Sequence, residues 1–135
     1  MKSPALAQAI ARLALTKKAL DVVIMDLRGL TSMTDFFVVC SAESDVQIRA
    51  ITDAVDEGME QKGSAAWHKE SGSPNWVLLD YVDVVLHIFH KNTRQFYNLE
   101  KLWGDAKFRR VREGERPPAR AKGPLRGAAR LNARA

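Results

Sequence analysis

The sequence predicts an α/β fold in which about five β-strands pack against helices. Two observations carry this expectation. Residues 21–26, whose inner four are apolar, and residues 36–40 carry apolar side chains at consecutive positions, so a strand built from either is greasy on both faces and belongs inside a covered sheet. Between such runs, apolar residues recur every three or four positions opposite a polar face, the pattern of helices lying on that sheet. A chain of 135 residues, 46% hydrophobic and 27% charged, has the size and composition for one core.

Ser3 and Pro4 open the first helix, with Ser3 as N-cap and Pro4 at the first helical position, where its missing N–H is harmless. Leu6, Ile10 and Leu13, with Ala9 between, give it one apolar face, and Lys17 and Lys18 complement the dipole at its C-terminus. The two doubly apolar strands follow, joined through an Arg28-Gly29 turn and a polar link at Thr31, Ser32 and Thr34. Ser44 with Gln47 three residues later is a capping box, so a second helix starts there. Ile48, Ile51, Val55 and Met59 form its stripe, and Lys62-Gly63 end it. Residues 65–68 are a short strand candidate, and residues 72–74 read as a loop.

Residues 75–90 read as a β-hairpin, two apolar runs with a short polar break. Alternation puts Trp76, Leu78 and Asp80 on one side and Val77, Leu79 and Tyr81 on the other. Both sides are largely apolar and both need cover, which another molecule can supply. A third helix is expected from Asn92 or Thr93 to Gly104, with Phe96, Leu99 and Trp103 in its stripe and Tyr97 and Leu102 widening it.

The net charge of +5 is unevenly spread. Residues 1–108 hold 12 Lys/Arg against 14 Asp/Glu, whereas residues 109–135 hold 9 against 2. A folded domain over residues 1–111 is therefore mildly acidic. Residues 112–135, rich in Gly, Ala, Pro and Arg, read as a disordered basic tail. The arginines spaced from the end of the domain into the tail, beginning with Arg109, Arg110, Arg112 and Arg116, suit attraction to a nucleic-acid backbone; a simple solvating role is the alternative. No stretch is apolar enough to span a membrane and no secretory leader is evident, so a cytoplasmic location is expected.

Candidate chemistry is sparse. The lone Cys40 lies among apolar neighbours that favour an inert thiol. His87 and His90 fall on opposite faces of a strand and His68 is remote, so neither a metal nor another cofactor is expected. Asp80 and Asp83 flank the hairpin turn and admit three readings: a catalytic pair, turn-forming residues, or the charged edge of a partner contact. The chain lacks the Gly-rich phosphate loops that would support the first.

Several motifs then occur in one order: Asp26-Leu27-Arg28-Gly29-Leu30, Thr34-Asp35-Phe36-Phe37-Val38, Ser44-Asp45-Val46-Gln47-Ile48, Trp76-Val77-Leu78-Leu79-Asp80-Tyr81 and Leu99-Glu100-Lys101-Leu102-Trp103-Gly104-Asp105. Over residues 17–107 the chain resembles the ribosomal silencing factor family (RsfS, also called Iojap-related or YbeB). The resemblance implies a non-enzymatic protein with a mixed sheet, related in fold to nucleotidyltransferases but without their catalytic signature. It further implies binding to the large ribosomal subunit through ribosomal protein L-fourteen. There it would hinder subunit joining and lower translation under nutrient limitation; a role in large-subunit assembly, with the basic tail on RNA, is the alternative. Carried onto this chain, the resemblance assigns partner contact to Trp76, Leu78, Asp80, Tyr81 and Asp83. Val82 stands where the family's turn usually has glycine, so a different turn backbone is expected here. The free protein is expected to pair with a copy of itself through the same apolar face.

Overall fold

Strands β1 (Leu20–Asp26), β2 (Phe36–Ala42) and β5 (Val84–His90) form the middle of a six-stranded mixed sheet in the computed structural model, which describes residues 1–112. The sheet order is β3-β4-β5-β2-β1-β6, where β3 is His68–Ser73, β4 is Trp76–Asp80 and β6 is Lys107–Val111. Among the described strands only the β2–β5 pair is parallel. Its register sets Val38 beside Leu86 and Cys40 beside Ile88. The doubly apolar runs thus occupy the positions where both faces need cover.

Helices α1 (Ser3–Leu15) and α2 (Asp45–Gln61) cover one face. The expected stripe of α2 is buried: Ile48 is 2% exposed, and Ile51, Val55 and Met59 are fully enclosed. Their partners on the sheet include Val38, Leu79, Leu86 and Ile88, all at 0%. Each such side chain stabilises the fold by about 1.5–3 kcal/mol, which anchors helices too short to persist alone. The capping box forms with a small variation. Ser44 Oγ accepts from the Gln47 amide at 3.2 Å, while Gln47 Oε1 accepts from the Glu43 amide at 2.7 Å. Gly63, at φ 80°, ends the helix as expected.

Helices α3 (Lys91–Tyr97) and α4 (Leu99–Leu102) lie on the opposite face and cover part of it, over Val23, Met25, Val39 and Phe89. Arg94 fastens this cover. It donates to the Asp21 carbonyl at 2.6 Å and Ser41 Oγ at 3.0 Å, and pairs with Glu100 at 2.6 Å.

Several local expectations are corrected. Ser3 is the first residue of α1 rather than its cap, and its hydroxyl instead donates to Asp35 Oδ2 at 2.8 Å. The third helix is two helices, because Asn98 turns left-handed at φ 44° and caps the second by accepting from the Lys101 amide. His90, not Asn92 or Thr93, caps α3, and Leu102 is 71% exposed instead of widening a buried stripe. Strand β3 begins where the short strand candidate was to end and takes in Gly72 and Ser73. Strand β6 raises the count from about five to six; it pairs antiparallel with β1, Arg109 opposite Ile24. The expectations for the basic tail beyond Arg112, Arg116 among them, and for the side chain of Phe96 lie outside the described residues.

Candidate partner-docking site

Strand β4 alternates as its sequence requires. Val77 and Leu79, 7% and 0% exposed, point under α1 and α2, and Trp76, Leu78 and Asp80 point to the other face and stay partly exposed. The five residues assigned to partner contact do not form one cluster. Leu78 and Asp80 line a groove of about 550 Å³. Leu27, Val85 and His87 are its buried floor, and Phe37, Leu78 and Trp103 its half-exposed walls. Helices α3 and α4 stop short of this end of the sheet.

Trp76 stands beside the groove, under α3. Its ring lies 4.7 Å from that of Tyr97 and stacks on Phe89 at 5.1 Å, and its outer edge opens on a smaller hollow of about 320 Å³ bordered by Tyr97 and Asn75. Tyr81 belongs to the helix-covered face, 7% exposed, where burial raises the pKa of its hydroxyl. It shares no surface with the other four.

The turn is built around three carbonyls and one carboxylate, the Val84 carbonyl accepting from the Tyr81 amide at 2.8 Å. Asp80 Oδ1 accepts from the Val82 amide at 2.7 Å, and the Tyr81 carbonyl accepts from the Asp83 amide at 2.9 Å. The Asp83 carbonyl accepts from the Asp35 and Phe36 amides, which ties the turn to the start of β2. With Val82 at φ 72°, residues 81–83 make a γ-turn of the rare left-handed kind. Val82 therefore holds the left-handed backbone that favours glycine, and as a β-branched residue it bears the strain of that conformation. Asp80 serves the turn with one oxygen and lines the groove, and Asp83, which does not line it, is exposed to solvent beyond Val82.

His87, 4% exposed, is held neutral, since burial lowers its pKa to about 4. The Trp76 indole N–H donates to His87 Nδ1 at 3.3 Å. Because an indole nitrogen only donates, Nδ1 is the acceptor and Nε2 carries the ring proton. Neither His87 Nε2 nor Thr34 Oγ1, also on the groove, finds a hydrogen-bond partner among the described residues. Cys40 is enclosed, and burial pushes its thiol up to about 12. No group of three His, Cys, Asp or Glu side chains among the described residues could hold a metal ion, and no described helix is long and apolar enough to cross a membrane.

Of the arginines proposed for RNA contact, Arg109 and Arg110 lie on β6. Arg109 donates to Gln8 Oε1, and Arg110 pairs with Asp21 at 3.2 Å. Arg112 follows the strand and is exposed. Sequence reasoning missed Met33 and Trp67, which stand at the groove's mouth 86% and 74% exposed. The available signal was a large apolar residue within a polar link, as Met33 is between Ser32 and Thr34.

Comparison with known proteins reaches the same family from two directions. The model of a family described as "Ribosomal silencing factor during starvation" matches residues 1–133, extending past the motifs at 17–107 into the basic segment. The ribosomal silencing factor RsfS of Bacillus subtilis is 41% identical over 91 residues, 67% of this chain and 77% of its own. The chloroplastic protein Iojap of maize is 37% identical over 100 residues, 74% of this chain and 44% of its own. Two crystal structures share the fold. One, from Chromobacterium violaceum, has a TM-score of 0.74 at 28% identity and covers 77% of this chain and 88% of its own. Another, from Bacillus halodurans, has a TM-score of 0.66 at 37% identity and covers 73% and 93%. Order of motifs, family match and shared fold agree, and the chain belongs to the ribosomal silencing factor family, RsfS.

Proposed function

We propose that this protein silences ribosomes in the cytoplasm by binding, without catalysis, to the large subunit. In this reading the incompletely covered face of the sheet docks on ribosomal protein L-fourteen, and the bound domain stands where the small subunit would join. Translation then falls when nutrients are short. The observation that carries the reading is the groove, a largely apolar floor left open by α3 and α4 with Asp80 on its lining and the exposed Asp83 on the adjoining turn. An apolar centre with carboxylates at its edge suits the basic surface of a ribosomal protein. Steric exclusion needs only occupancy, so no reactive residue is required.

The test is sedimentation of separated ribosomal subunits recombined with and without the protein. The joined particle should fall as the protein is added, and an unchanged joined fraction at saturation would refute the mechanism. Trp76→Ala should weaken large-subunit binding by about 2 kcal/mol, through loss of the ring that braces Tyr97 and holds His87. Unaltered co-sedimentation of that variant would remove Trp76 from the interface.

A second reading, a large-subunit assembly factor with RNA contact, is favoured by the basic edge strand, where Lys107 and Arg110 are exposed and Arg112 follows. Deleting residues 112–135 separates the two. A large loss of binding with a flattened salt dependence supports RNA-led attachment, and little change supports the protein-led one.

A further inference from the structure

Three large apolar side chains from three different connections meet at the groove: Met33 from the β1–β2 link, Trp67 from the α2–β3 link and Val82 from the β4–β5 turn. They are 86%, 74% and 55% exposed. Scattered apolar residues on a surface are ordinary, but three around one cavity make a patch. Trp is enriched among interface anchors and Met adapts to irregular partners.

Val82 adds an independent sign. At φ 72° a β-branched residue is strained, and glycine would relieve it. The free protein is less stable for having this side chain, so its benefit lies in what it touches when the groove is filled. A polypeptide segment can present an apolar side chain to such a groove, and the Asp80 carboxylate on its lining favours a basic one.

We propose that Met33, Trp67 and Val82 form an anchoring collar that grips a basic polypeptide segment of the partner, one of whose apolar side chains fills the groove. Val82 exchanges stability of the free protein for that contact. The proposal rests on the docking role argued above and names the part of the surface that carries the affinity.

Calorimetric titration of the full chain with isolated ribosomal protein L-fourteen, alongside thermal melting of each variant, tests it. Trp67→Ala should weaken binding about tenfold or more with an unchanged melting temperature, since the ring packs little in the free protein. Val82→Gly should melt higher yet bind about threefold or more weakly. Val82→Thr, which keeps the branched shape and the strain, should melt like the wild type and also bind more weakly. If the wild type binds while Trp67→Ala and Val82→Gly bind equally well, the collar is overturned and the docking reading survives. If the wild type does not bind at all, the docking reading is what has failed. Dissociation of a self-associated form by Trp67→Ala would then make a second copy the occupant and overturn the basic segment.

Discussion

The two faces of the sheet are made of similar residues and differ in what lies over them. On one, α1 and α2 close over Val38, Leu79, Leu86 and Ile88 until none is accessible. On the other, α3 and α4 cover Val23, Met25, Val39 and Phe89 and then stop, leaving Phe37, Leu78 and Trp103 half-exposed around a groove. The contrast runs through a single strand, where Leu78 and Leu79 are neighbours with opposite surroundings. Apolar surface alone therefore does not assign a residue to the core or to an interface; the helices above it do.

Leu79→Ala and Leu78→Ala should separate the two faces most widely. The first deletes a fully enclosed side chain and should destabilise the protein by roughly 4 kcal/mol in urea denaturation. The second should lower stability by about 1 kcal/mol and act mainly on large-subunit binding. Equal losses of stability would erase the distinction.

Acid titration probes the boundary between the faces. His87 has its pKa lowered to about 4 by burial, against an ordinary value of 6.5. As the pH falls from 6.5 the unfolded chain takes up a proton that the folded one refuses, so this contribution is intact above 6.5 and lost on the way to pH 4. The expected loss from this group approaches about 3 kcal/mol at pH 4. It should vanish in His87→Gln, measured as the difference between the two stability profiles. Parallel profiles would mean that the imidazole is not enclosed among the rings of Trp76, Phe37 and Phe89. The smallest effect is expected at Leu102 on α4: Leu102→Gln should change stability by within about 0.5 kcal/mol, because its side chain is 71% exposed. A larger loss would contradict the exposed position of Leu102 on α4.

Much of this architecture could be read from residues. The doubly apolar runs at 21–26 and 36–40 became central strands, Ser44 and Gln47 capped α2, and the hairpin formed with the expected alternation. What escaped were the elements held by backbone pairing. Strand β3 is polar through His68, Lys69 and Glu70, and β6 is basic, so neither carries an apolar pattern; each is a strand because β4 or β1 offers its edge. The break at Asn98 was invisible because the apolar spacing runs through it. The site was legible in part. Leu78 and Asp80 fell where alternation put them, but whether a face was open depended on where α3 and α4 ended. That contact between distant segments also moved Trp76 to the margin of the groove, and Tyr81 followed the helix-covered face of β4. Met33 and Trp67 become neighbours of the groove only through folding.

Methyl-labelled protein titrated with ribosomal protein L-fourteen and followed by NMR tests the open face most directly. If that face is the docking surface, the signals of Met33, Leu78, Val82 and Val85 shift or broaden, while those of Ile51 and Val55 on α2 and of Leu86 on the sheet below it stay in place. Perturbation confined to methyl groups on the α1–α2 side, with the groove signals unmoved, would contradict it.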